Sequence, residues 1–226
     1  MVEELLVTAR HNYKVDPSLA IWSWEIPVYL FLGGLTAGIM CFAAYAVLAR
    51  KDAEMPFTHD RFALWAPIAL SVGMTALFLD LEHKLYVFRF YTSFEPTSPM
   101  SWGAWILILV YPLMMLQTFS VLRRGYPALA GWVERLPFGG AALDVSEDLR
   151  RPLAALVIPL AVGLGIYTGV LLSAFSARPF WNTGLLGPLF LVSGLSTAAA
   201  LALIGARLDC EKHFFTRADI TLIGIE

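Results

Sequence analysis

Ile26-Pro-Val-Tyr-Leu-Phe-Leu-Gly-Gly-Leu-Thr-Ala-Gly-Ile-Met-Cys-Phe-Ala-Ala-Tyr-Ala-Val-Leu-Ala49 contains no Asp, Glu, Lys or Arg. A helix of about 20 apolar residues crosses roughly 30 Å of hydrocarbon, so this stretch is long enough to span a bilayer. Four more charge-free windows follow, at Phe62–Leu79, Pro96–Leu122, Pro152–Ala177 and Pro179–Ala206. Each meets the length requirement, and the five make up more than half of the 226 residues. The protein is 58% hydrophobic and 15% charged, against about 45–50% and about 25% for soluble domains. These figures exclude a soluble enzyme, a disordered chain and a nucleic-acid binder. The fold class is all-α, a polytopic transmembrane helical bundle with five spans.

The residues between the windows set the orientation. Sixteen basic and eighteen acidic residues leave a net charge of −2, so bulk charge names no partner. Residues 1–20 are polar, with no signal-peptide core; they read as an outer tail, and the first span itself drives insertion. With five crossings, the side shared by the N-terminus carries Arg10, Lys14, Lys84, Arg89 and Arg178, while the other eleven basic residues fall opposite. Basic residues are retained in the cytoplasm, which predicts an N-terminus outside and a C-terminus inside a bacterial inner (cytoplasmic) membrane. Cys41 and Cys210 lack metal-ligand spacing, and two thiols cannot hold an iron–sulfur cluster. His11, His59, His83 and His213 all lie outside the apolar windows, so bis-histidine haem is not expected either.

Small residues one turn apart, Gly34 and Gly38 in the first span and Gly165 and Gly169 in the fourth, predict close helix packing. Every span carries a proline (Pro27, Pro67, Pro112, Pro159 and Pro188), and each is expected to bend its helix. The stretch 123–151 reads as a cytoplasmic connector, with Ser146 positioned to cap a short interfacial helix. An internal repeat pairs Pro27-Val-Tyr-Leu-Phe-Leu-Gly-Gly-Leu-Thr-Ala-Gly38 with Gly187-Pro-Leu-Phe-Leu-Val-Ser-Gly-Leu-Ser-Thr-Ala198. It divides the protein into a first four-helix bundle, 21–177, and a segment, 178–226, holding the fifth span and the start of a second bundle. Ile220 to Glu226 then reads as the opening of a sixth span.

Ionisable residues near span ends need a reason, because charge is costly in the membrane. Asp80, Glu82, His83 and Lys84 close the second span on the outer side, Glu25 opens the first, and Trp181 and Asn182 open the fifth. Tyr167 lies about two-thirds of the way out along the fourth. One face thus gathers the candidate proton and hydrogen-bond chemistry. Trp22, Trp24, Trp102 and Trp181 are expected to act as interface anchors. The midplane offers only Thr36, Thr75 and Thr168. That argues against an ion or proton translocator, which stays open as an alternative together with a purely structural anchor for a redox complex.

At these residues the sequence resembles the NrfD/PsrC family, the integral membrane subunits of polysulfide-reductase-type complexes. The resemblance is carried by Trp24-Glu-Ile-Pro-Val-Tyr-Leu-Phe-Leu-Gly-Gly-Leu-Thr-Ala-Gly38, Leu79-Asp-Leu-Glu-His83 and Thr97-Ser-Pro-Met-Ser-Trp-Gly103. It continues in Tyr167-Thr-Gly-Val-Leu-Leu-Ser-Ala174 and Arg178-Pro-Phe-Trp-Asn182. It implies a haem-free subunit that binds menaquinone or ubiquinone and exchanges electrons with a docked ferredoxin-like iron–sulfur subunit, which serves a molybdopterin or multihaem catalytic subunit. It places a quinone-site tyrosine at Tyr167 and an acidic site residue at Asp80. His83, Glu25 and Asn182 join the expected quinone site by location, and Asp80, Glu82 and His83 form the expected proton relay. The family is similar to a pair of four-helix bundles, which leaves the second bundle here to be completed by further sequence or by another chain.

Overall fold

The structure, a computed structural model, describes residues 24–81, 83–92, 95, 97–173 and 183–226. The five windows form five long helices: α1 (Glu25–Leu48), α3 (Trp65–Asp80), α5 (Pro99–Gly125), α8 (Arg150–Ser173) and α9 (Leu186–Gly205). Shorter helices join them: α2 (Pro56–Asp60), α4 (Arg89–Thr92), α6 (Pro127–Val133) and α7 (Gly139–Asp148). The last is α10 (Asp209–Ile225). The protein is a multi-pass helical membrane protein.

The first span is the centre of the bundle. It is apolar on every side and the most deeply buried of the five, with Phe31 and Tyr45 exposed, and it packs against α3, α8 and α9. Ile39, Met40 and Ala44 on α1 meet Leu70, Val110, Val157, Leu164 and Ala198 in one continuous core. Glycine allows the closest approach. Gly34 and Gly194 occupy the same place in the internal repeat, and the two backbones touch there; one turn on, Gly38 faces Ala198, again its repeat equivalent. Residues that the repeat pairs thus stand against each other where α1 crosses α9. Gly169 likewise lets α8 pass the backbone of Leu186 and Gly187.

Several sequence expectations change at this point. Pro27, Pro67 and Pro188 sit in the first turn of their helices, where the missing N–H has no intrahelical acceptor to lose; only Pro112 and Pro159 lie inside a helix. Ser146 is not a cap: it lies within α7 and donates to the Ala142 carbonyl at 2.6 Å. The terminal helix begins at Asp209, well before Ile220, because the turn at 206–208 is short. It then runs back along α9, with Ser196 donating to Asp219 at 2.5 Å. Thr36, Thr75 and Thr168 spend their hydroxyls on carbonyls of their own helices. Trp24 and Trp102 are exposed, as interface anchors should be; Trp22 and Trp181 lie outside the described residues.

The basic face holds a polar network absent from the sequence reading. Glu211 on α10 is wholly buried, and its Oε1 accepts from the Thr58 backbone N–H at 2.9 Å and the Thr58 hydroxyl at 2.7 Å. Thr58 lies in the first turn of α2, whose N-cap is Met55, a residue with no capping oxygen. Glu211 therefore supplies the missing cap from a distant part of the sequence. Beside it, Arg150 donates to the His59 carbonyl at 2.7 Å and reaches the Asp60 carboxylate at 3.3 Å, while His59 Nδ1 lies 2.8 Å from the same oxygen.

Candidate functional site

Helices α1 and α3 pack tightly, as do α5 and α8, but α3 and α5 scarcely touch. The wedge left between them is a cavity of about 400 Å³. Each helix contributes a single stripe at helical spacing: Ile26 and Tyr29 from α1; Met74, Leu77 and Phe78 from α3; Met100, Gly103, Ala104 and Leu107 from α5; Tyr167 and Leu171 from α8. Asp80, Leu81, Val87 and Tyr91 close the end where α3 stops and α5 starts. Among the described residues the walls are apolar, with four polar side chains, Tyr29, Asp80, Tyr91 and Tyr167, entering from different helices. The size falls within the range of roughly 300–1,000 Å³ typical of small-molecule sites.

Two of the expected site residues meet in this cavity. Tyr167 is 7% exposed, and its ring lies against the α5 backbone at Gly103, a position where a Cβ would occupy the ring's own space. Glycine at 103 is thus what lets a large aromatic ring fit between α5 and α8. Asp80 ends α3 at the cavity's exposed edge. Glu25 opens α1 one turn before Tyr29 without lining the cavity; its Oε2 is buried with no hydrogen-bond partner among the described residues. His83 is exposed and stands outside the lining, its ring 6.4 Å from that of Tyr86, over which the Arg89 guanidinium sits at 4.9 Å. Glu82 and Asn182 lie outside the described residues.

Tyr29 and Tyr91 were not singled out from the sequence. Tyr29 is three residues after Ile26, a spacing that puts both on one helix face, and that was the available signal. Tyr91 falls, with Tyr86, Arg89 and Glu95, in the polar stretch that the sequence places on the outer side, but its entry into the cavity depends on the fold of the 83–92 turn. Burial, followed by the nearby Tyr111, raises Tyr91 above the ordinary tyrosine pKa. Tyr111 itself comes within 3.5 Å of Ser71 and extends the polar trail along α3 and α5. A larger groove of about 800 Å³ runs between α1, α9 and α10, lined by Phe42, Leu195, Phe214 and Arg217 among others, but gathers none of the expected site residues that are described.

These features define a class: a multi-pass helical membrane protein with an apolar cavity, ringed by tyrosines, at one end of its first four spans. The family model described as polysulphide reductase, NrfD, matches residues 11–224, and the chain belongs to the NrfD family. It is 32% identical over 180 residues to a polysulfide reductase chain of Wolinella succinogenes, an alignment that takes in 78% of this sequence and 55% of that protein. It is 31% identical over 216 residues to protein NrfD of Escherichia coli, taking in 90% and 67%. It is also 30% identical over 210 residues to a tetrathionate reductase subunit of Salmonella typhimurium, taking in 92% and 55%. The chain therefore spans between about half and two thirds of the length of these relatives.

Proposed function

We propose that this protein is the membrane subunit of a respiratory reductase complex, and that it binds a quinone in the cavity between α1, α3, α5 and α8. The observation that carries this reading is the pairing of Tyr167 and Asp80 in one apolar cavity of about 400 Å³. A quinone head has two carbonyls that need donors and an apolar body and tail that need a dry cleft; the tyrosine hydroxyls and the Met, Leu and Phe walls match both needs. When bound, the quinone supplies the exchange of two electrons and two protons.

The residues lining the cavity have separate tasks. Tyr167 donates its hydroxyl proton in a hydrogen bond to one carbonyl and fixes the ring's position. Tyr29 and Tyr91 are the donors available to the second. Asp80, at the exposed edge, holds or releases a proton at its carboxylate and links the cavity to water. The electron partner is an iron–sulfur subunit docked over that end, serving a molybdopterin or multihaem catalytic subunit. Support for a complex comes from the relatives, two of which are named as one chain or one subunit of a reductase. The charge pattern supports a bacterial inner membrane with the cavity on the outer side and the basic face in the cytoplasm.

The test is a quinone titration of the purified complex. Tyr167→Phe removes one hydrogen bond worth about 1 kcal/mol and is expected to weaken binding roughly fivefold with assembly intact. Unchanged affinity in Tyr167→Phe and Asp80→Asn, with no quinone extractable from the wild-type complex, overturns the reading.

A further inference from the structure

The segment joining α5 to α8 carries an apolar surface that no contact among the described residues explains. On α6, Ala130 is buried and Val133 packs beside it, whereas Leu129 and Trp132, three residues apart on the neighbouring face, are exposed, Trp132 at 63%. Leu136 is exposed one turn further, and Phe138 is 87% exposed. Phe138 also adopts φ 66°, ψ 0°, a left-handed conformation that bulky residues avoid. Glycine would take that position without strain, and glycines stand next to it at 139 and 140. A phenylalanine held there, ring outward, indicates that the ring meets something beyond the described residues.

The position of the segment identifies what it meets. Leu143 of α7 and Ala130 of α6 pack with Leu122 and Phe119 of α5. Phe119 is six residues before Gly125, about 9 Å back along the helix. The connector therefore folds up beside the last turns of a membrane span and does not hang below it. Its charges are sorted as well. Glu134, Asp144 and Glu147 all turn onto Arg123, at 2.9, 2.7 and 3.4 Å. Among the described residues Arg124, Arg135 and Arg151 make no ion pair, which leaves guanidinium groups free for phosphates.

We propose that α6 and the turn into α7 lie in the headgroup region of the leaflet on the basic face, with Leu129, Trp132 and Phe138 seated in lipid and the unpaired arginines on anionic headgroups. This is the arrangement of an interfacial amphipathic element, with an aromatic and aliphatic side in the acyl boundary and a basic rim above it. It ties the end of α5 to the plane of the bilayer and so fixes the depth of the bundle.

The experiment places single cysteines at 129, 132, 135 and 138 of the full-length protein, with Cys41 and Cys210 replaced by serine. Each is labelled with a nitroxide and reconstituted in vesicles of equal parts phosphatidylethanolamine and phosphatidylglycerol. Labels at 129, 132 and 138 are expected to be several-fold more accessible to oxygen than to a water-soluble nickel chelate, with the reverse at 135. Chelate access at 129, 132 and 138 equal to that at 135 overturns the proposal. So does a result in which those labels are wet in vesicles and become shielded only when a soluble partner protein is added.

Discussion

Replacing Gly103 by alanine tests the cavity at its tightest point. A Cβ at 103 occupies the space of Cζ, Oη and Cε1 of Tyr167. Carbon atoms rest at about 3.5–4.0 Å, so the tip of the ring must swing by roughly 1–2 Å. The obstructing atoms are the far end of a side chain and not backbone, so α5 and α8 can stay in place and the fold survives. Overpacking of this kind costs about 1–3 kcal/mol, and the hydroxyl leaves its position in the cavity. Losing its hydrogen bond, with some loss of apolar fit, amounts to about 1–2 kcal/mol of binding, or roughly 5–30-fold in affinity. The assay is fluorescence titration of a quinol analogue against Gly103→Ala, Tyr167→Phe and the double variant. Both changes act through the same hydroxyl, so the double variant is expected to be no weaker than the weaker single. Wild-type affinity in Gly103→Ala, or full additivity in the double variant, refutes the reasoning.

Three further outcomes follow from the packing and the network on the basic face. Gly38→Leu forces side-chain atoms into the Gly194 carbonyl and Ala198 and is expected to lower the melting temperature in detergent by roughly 6–12 °C, equivalent to about 3 kcal/mol; Gly163→Ala, with nothing within 4 Å of a Cβ, is expected to be neutral or slightly stabilising. Glu211→Ala leaves the Thr58 donors unpaired and is expected to cost about 2–3 kcal/mol, read as increased protease cleavage between α9 and α10, with a smaller loss in Glu211→Gln. Burial alone would raise the Asp60 pKa, but hydrogen bonds from His59 and Arg150 outweigh it and hold the carboxyl below its ordinary value of 3.8. The folded state thus favours the ionised form. This contribution is fully present above the ordinary carboxylate range and is lost as pH falls through it toward the lowered value. Melting curves from pH 6 downward are expected to fall more steeply in the wild type than in Asp60→Asn.

The fold was legible because the bilayer demands uninterrupted apolar helices. Ile26–Ala49 and its four companions mark the spans directly, and the small residues Gly34 and Gly38 marked the face of α1 that packs closely, which the structure places against α9. Tyr167 and Asp80 were legible as polar groups where polarity is costly, on spans that end at the same face. Local chemistry misled at Ser146 and at the prolines of the first turns, where sequence gives residue type but not distance from a helix end. The Glu211–Thr58 cap joins positions 153 residues apart and leaves no periodic trace. The cavity itself depends on α3 and α5 diverging, which is a property of how helices pack and not of either helix alone.

The most direct measurement is photolabelling of the native membrane complex with an azidoquinone, followed by peptide mapping. Adducts are expected on α3, α5 and α8 around Met74, Met100 and Leu171, suppressed by excess unlabelled quinone and reduced in Tyr167→Phe. Quinone-protected labelling confined to Phe42, Leu195 and Leu222 in the groove beside α10, with the cavity residues unmarked, would contradict this.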